Sequence, residues 1–262
     1  MAERTTERAR GSRAREAGPQ RDERPDPVLK PTLVLVGAQK GGVGKTTTAR
    51  LLLHWLEEAK RRFVAFDTEH PAGSLARFYP DVTEVLDIAQ VSAQMRILDA
   101  FASAADESAF VVDLRAGYFF NILDMFDDLM IFRDARRGAF NLLFLHVVGS
   151  TKESTAEVAT SLERFDGARH VVVRNVASGA NLSGWDRSDV RDAFLRHGGL
   201  EIDIPPLDPL AYQAIDDASA SFKDFVDNRG PHGEAADHSY TLRAYTRKWL
   251  ILSMSQIDKL KL

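Results

Sequence analysis

Short, unbroken apolar runs alternate along this chain with stretches whose apolar positions recur every three or four residues. Leu33-Val34-Leu35-Val36, Phe63-Val64-Ala65-Phe66, Phe110-Val111-Val112 and Val171-Val172-Val173 are continuous, and Phe140 to Val148 runs apolar around His146, as strands buried on both faces of a parallel sheet must. A shorter strand is expected at Val85 to Ile88. Between the first two runs, Ala49, Leu52, Leu53, Leu56 and Ala59 keep helical spacing, and Lys60, Arg61 and Arg62 follow where cations favour a helix C-terminus. A strand, loop, helix, strand unit of the parallel kind results.

The same spacing predicts a helix in which Met95, Leu98 and Phe101 face the core, one helix over 118–137, another over Thr151 to Phe165, and helices over Trp185 to Arg196 and Pro209 to Val226. Asn228, Gly230, Pro231 and Gly233 mark a loop over 229–237. Beyond it, 238–262 reads as an amphipathic helix with Leu242, Tyr245, Trp249, Leu252, Ile257 and Leu260 on one side, long enough to dock on the rest. Residues 1–30 are expected to be a disordered tail, since Val28 and Leu29 are their only large aliphatics after Met1. One α/β domain over 31–228 accounts for the remainder.

Composition narrows the chemistry. The 262 residues hold no cysteine, so disulfides, thiolate metal sites and thiol catalysis are excluded. No stretch approaches the roughly 18 uninterrupted apolar residues of a membrane span, and a cytoplasmic protein is expected. Net charge is −4, and Arg187, Arg191 and Arg196 are interleaved with Asp186, Asp189 and Asp192, so that helix reads as a solvated mixed-charge face rather than a nucleic-acid surface.

The candidate chemistry lies in Ala38-Gln39-Lys40-Gly41-Gly42-Val43-Gly44-Lys45-Thr46-Thr47, between the first strand and the first helix. Gly41, Gly42 and Gly44 let backbone N–H groups close around phosphate oxygens, at a helix N-terminus that itself favours anions. Lys45 can reach the β and γ phosphates and the Thr46 hydroxyl can ligate Mg²⁺. Gln39 stands where the generic phosphate loop has glycine. Lys40-Gly41-Gly42-Val43-Gly44-Lys45-Thr46 instead resembles the deviant Walker A sequence of the ParA/MinD family of dimerising ATPases.

That resemblance implies a three-layer α/β fold, a mainly parallel twisted sheet with helices on both faces, binding ATP and Mg²⁺. It implies that Lys40 through Thr47 hold the nucleotide, with Lys40 reaching a partner's nucleotide across a dimer interface. Asp67 and Glu69 stand for the family's first acidic switch, near Mg²⁺ and the attacking water, with Glu69 one methylene longer than the family's aspartate. Asp113, ending the strand before Leu114-Arg115-Ala116-Gly117, stands for the second magnesium-shell acid. Asn175 and Pro205 correspond to positions near the adenine base. The absence of cysteine excludes the family's cluster-binding members.

The implied function is an ATP-dependent homodimerising ATPase, slow without a stimulating partner protein, that positions or segregates a plasmid, chromosome or conjugation complex. Non-specific DNA is its possible surface, with a membrane the less favoured one. The alternatives are a MinD-like membrane-associated positioning ATPase and a metabolic ATP-dependent enzyme of the same superfamily, which would need a further substrate pocket.

Overall fold

Every residue of β1 (Thr32–Gly37) is buried, because parallel neighbours flank it and helices cover both faces. The structure is a computed structural model that describes residues 30–104, 108–165, 167–176 and 181–262. From β1 the chain runs through α1 (Lys45–Glu58) to β2 (Phe63–Asp67), then β3 (Thr83–Val85), α2 (Val91–Ala102) and β4 (Ala109–Asp113). Helices α3 (Phe119–Asp128) and α4 (Ile131–Arg136) lead to β5 (Asn141–Val148), and α5 (Lys152–Arg164) leads to β6 (Arg169–Asn175). Short α6 (Ser183–Asp186) and α7 (Asp189–Arg196) precede β7 (Leu200–Ile204), and α8 (Pro209–Ala218), α9 (Phe222–Val226) and α10 (Tyr240–Ile257) follow it.

The strands form one seven-stranded sheet in the order β3-β2-β4-β1-β5-β6-β7, with every pairing parallel. Alternate residues of β1 divide between two cores, Val34 and Val36 with α1 and α8 to α10, Leu33 and Leu35 with α2 to α4. Helices α5 to α7 cover β5 and β6 on the latter face through Val158, Trp185 and Phe194 against Val148 and Val172. This is the expected three-layer α/β architecture. Its strand order reverses direction at β1, the place where such sheets open a ligand crevice at their C-terminal ends.

Several expected elements are shifted or divided. The short strand is Thr83–Val85 rather than Val85 to Ile88, with Ile88 buried just past it. Residues 118–137 form two helices, because Met130 takes a left-handed conformation (φ 59°) and leaves Leu129 and Met130 exposed. Ser188 caps α7 by accepting the Arg191 N–H, splitting the helix expected from Trp185. A left-handed Ser219 (φ 50°) ends α8 before Ser221 caps α9. On α2, Ala93, Ile97 and Phe101 face the core and Met95 is exposed.

The last helix buries Thr246, Trp249, Leu250, Ser253 and Ile257, a face rotated from the expected one, so Tyr245 and Leu252 are solvent-exposed. Trp249 lies edge-on to Phe222 at 5.0 Å and donates its indole N–H to the Pro205 carbonyl at 2.7 Å. Trp55 donates to Asp258 at 2.6 Å just beyond the helix. No helix among the described residues is long and apolar enough to cross a membrane. The tail expected over 1–30 lies, apart from Lys30, outside the described residues.

Candidate functional site

The glycine-rich loop occupies the crevice between β1 and α1. Gly42 and Gly44 have φ of 74° and 100°, and Gly44 is the N-cap of α1. A Cβ at Gly44 would lie 1.7 Å from Asn175 Nδ2, so glycine is required there by both conformation and space. That closeness has a purpose: Asn175, buried at the end of β6, donates its Nδ2 to the Val43 carbonyl at 3.0 Å. The first helical bond runs from the Thr48 N–H to the Gly44 carbonyl, so the N–H groups ahead of Thr48 have no intrahelical acceptor and face the crevice as an anion cradle.

The other end of the loop is tied to α5, where the Glu157 carboxylate accepts the Gln39 N–H at 2.8 Å. Burial pushes the Glu157 carboxyl up to about 7, against the opposing pull of the Gln39 N–H and Lys45. Lys45 donates to the Lys40 carbonyl at 3.3 Å across the loop. Burial lowers the Lys45 ammonium from its ordinary value, with Asp113, Glu69 and Glu157 raising it in return. The Lys40 side chain projects from the exposed crest, and Val43 packs against the core on the α1 side.

Beneath the loop, β2 and β4 end in register, Asp67 opposite Asp113. Thr46 Oγ1 donates to Asp113 Oδ2 at 2.7 Å, while buried Asp113 Oδ1 has no partner among the described residues. Burial pushes this carboxyl up to about 7, offset in part by the Thr46 hydrogen bond. A hydroxyl beside a buried, half-satisfied carboxylate is a hard-oxygen donor pair, which fits Mg²⁺ held jointly with phosphate. Asp67 differs. Its carboxylate accepts the Glu69 N–H at 2.9 Å and the N–H groups of Leu75 and Ala76, which commits both oxygens to folding the loop that follows β2. Glu69 accepts from the Ser74 hydroxyl within that loop.

These groups surround a cleft of 340 Å³ whose walls include Gly41, Gly42, Gly44, Lys45, Thr46, Thr47, Asp67, Glu69 and Asp113. Asn175 and Pro205 are not among those walls; Asn175 holds the loop from behind, and Pro205 is pinned to α10 through Trp249. Tyr212 of α8 closes one side, its hydroxyl 3.4 Å from that of Thr47. Past Tyr212 and Glu69 lies a second cavity of 640 Å³ with Arg50, Arg77 and Asp216 in its walls.

Of the arginines weighed on α7 and before it, Arg191 is paired with Glu201 at 2.8 and 2.9 Å. Glu157, Ser74 and Tyr212 are site residues that sequence reasoning missed. Only Glu157 left a signal: it falls on the buried stripe of α5 with Ser154, Val158 and Ser161, where an unpaired acid is not tolerated.

The family model for the CobQ/CobB/MinD/ParA nucleotide binding domain matches residues 34–185, from β1 through Trp185. The chain belongs to that family. The matched span contains the loop, both acidic strand ends and Asn175. No curated protein sequence matches the chain.

Solved structures similar to this family member include a nucleotide-binding protein of Archaeoglobus fulgidus in complex with ADP, 15% identical over 69% of this chain and 84% of the other, with a TM-score of 0.44. The MinD cell division protein of Aquifex aeolicus is 13% identical over 84% of this chain and 96% of its own, with a TM-score of 0.47. A MinC:MinD cell division protein complex from the same organism is 14% identical over 84% and 95%, with a TM-score of 0.45.

Proposed function

We propose that the chain is an ATP-driven switch of the ParA type, which binds Mg-ATP, dimerises through its loop face and positions or segregates a cargo such as a plasmid, chromosome or conjugation complex. The observation that carries this reading is the Thr46–Asp113 pair at 2.7 Å beneath a glycine-rich loop whose Lys40 stands exposed. The loop's N–H groups and Lys45 bind the phosphates. Thr46 and Asp113 hold Mg²⁺, which when bound neutralises phosphate charge and polarises the terminal phosphoryl group. Asp67 shapes the loop after β2 so that Glu69 stands at the cleft to position the attacking water, and Lys40 completes the partner's site. Asn175 and Pro205 border the adenine side, acting through the backbone they fix.

Glu69 carries one more methylene than aspartate, and a displacement of about 1 Å can cost on the order of 100-fold in rate. Slow basal turnover, a long-lived ATP dimer and dependence on a stimulating partner protein follow. DNA bound without base specificity is the favoured surface and a membrane the alternative, in a cytoplasmic setting. The test is ATP turnover followed by co-sedimentation of the ATP-loaded protein with DNA and with liposomes. Phosphate release together with ATP-dependent retention on DNA supports the reading; retention on liposomes alone moves the protein to the MinD-like branch.

A second reading, an ATP-dependent enzyme acting on a small substrate, is favoured by one observation, the 640 Å³ cavity that adjoins the phosphate cleft at Glu69 and Tyr212. Turnover that requires a small-molecule extract and no macromolecular surface would select it.

A further inference from the structure

Two cations line the phosphate cleft, Lys45 and Arg115. Arg115 stands two residues beyond Asp113 at the end of β4, and its backbone is held firmly. Its N–H donates to Thr68 Oγ1 at 2.7 Å, and that buried hydroxyl donates in turn to the Asp113 carbonyl at 3.1 Å. Thr68 lies between Asp67 and Glu69, so one threonine fixes the two acidic strand ends and Arg115 relative to each other.

The Arg115 side chain is anchored far less. Its guanidinium carbon lies 5.5 Å from the Tyr118 ring centroid, and it has no carboxylate partner among the described residues, although three carboxylates line the same cleft. Elsewhere on the surface arginines go both ways: Arg96 pairs with Glu84 at 2.8 Å and Arg191 with Glu201 at 2.8 Å, whereas Arg62 and Arg187 have no carboxylate partner among the described residues but lie away from the cleft, so it is the place of Arg115 that singles it out. A fixed backbone carrying an unpaired, exposed guanidinium at the edge of a phosphate-sized cleft is a built position for a second anion. A planar guanidinium can bond two phosphate oxygens at once, which suits it to charge spread over a transferring phosphoryl group.

We propose that Arg115 is a catalytic residue supplied in cis, binding the terminal phosphate of ATP and stabilising the charge that develops on it during transfer. The proposal rests on the ATPase reading above. In that step a water oxygen bonds to the γ phosphorus while the bond to the oxygen shared with the β phosphate breaks. The electron pair stays on ADP, and the water's proton passes to Glu69 and then to solvent. Lys40 acts from the partner, whereas Arg115 acts within its own chain, so each protomer carries a cation for the reaction before it dimerises.

The test is a binding measurement on the full chain with Mg-ADP, alone and with aluminium fluoride as a stand-in for the transferring phosphoryl group. Arg115→Ala should bind Mg-ADP within about 3-fold of wild type but lose on the order of 100-fold in affinity for the aluminium fluoride complex, with Arg115→Lys between the two. Equal affinity of wild type and Arg115→Ala for that complex overturns the proposal while leaving the ATPase reading intact. An equal loss for Mg-ADP and for the complex, in Arg115→Ala and Arg115→Lys alike, also overturns it by making the role structural. A wild type that binds no adenine nucleotide overturns the ATPase reading itself, and this proposal with it.

Discussion

The Glu157 carboxylate accepts the backbone N–H of Gln39 at 2.8 Å, fastening α5 to the residue at which β1 gives way to the glycine-rich loop. Its other oxygen, Oε1, is buried without a partner among the described residues. Burial raises this carboxyl from 4.5 to about 7. Between those values the folded chain holds a proton that the unfolded chain has released, so the stability contributed here is full below about pH 4.5 and is lost as pH rises to about 7. The unfolding free energy of wild type, from urea titrations, should therefore fall more between pH 5 and 8 than that of Glu157→Gln, by a difference on the order of 1–3 kcal/mol. Superimposable pH profiles would show that Glu157 is already ionised in the folded chain.

Gly44→Ala should fail for two separable reasons. Its φ of 100° strains any side chain, at about 1–2 kcal/mol, and its Cβ would strike Asn175 Nδ2. Asn175→Ala removes the second obstacle and leaves the first. The double variant should thus recover part of the thermal midpoint lost in Gly44→Ala and little of the nucleotide affinity. Full recovery of both would mean that the glycine is needed only for space.

Turnover should disappear in Glu69→Ala while the ATP-bound dimer persists, and Glu69→Asp should maintain or raise the rate. The structure adds a third variant, since Ser74 holds the Glu69 carboxylate inside its own loop. Ser74→Ala frees that acid, and a rate change in Ser74→Ala that vanishes in the Glu69→Ala background would tie the two together. If Glu69→Ala turns over like wild type, another group positions the water.

Trp249 is buried between β7 and α9 and hydrogen-bonded to Pro205. Trp249→Ala should lower stability by about 3–5 kcal/mol, and Trp249→Phe by less, since only the indole donor and part of the volume are lost. A truncation before residue 238 should expose the same apolar face of α1, α8 and α9 and lower solubility. An unchanged urea midpoint in Trp249→Ala would place α10 outside the cooperative unit.

The sheet was legible because both its faces are buried, which makes each strand a continuous apolar run, and because glycines and acids fall at strand ends. Helix breaks were not, since Met130 and Ser219 adopt left-handed conformations that no local glycine announces. The rotation of α10 escaped notice for a related reason: Thr246 and Ser253 are polar by composition yet buried, the Thr246 hydroxyl bonded to the Leu242 carbonyl. His146 interrupts an apolar strand and finds its partner at His170, 2.9 Å away on the neighbouring strand. In the site, the glycine-rich loop stood out by its residues and Asp113 by the resemblance, and both line the cleft, but Glu157 meets Gln39 across 118 residues. Asp67 was expected near the cation; it lines the cleft, and its carboxylate also accepts three N–H groups that stand two, eight and nine residues beyond β2, a loop-bracing role that spacing did not announce.

The most direct measurement is the molar mass of the protein in solution with Mg-ADP and with Mg-ATP, for wild type and for Lys40→Ala. Wild type should be a monomer with ADP and a dimer with ATP, and Lys40→Ala should bind ATP with comparable affinity yet remain a monomer. Wild type of unchanged mass in both nucleotides, or a Lys40→Ala dimer indistinguishable from wild type, would contradict the dimerising switch.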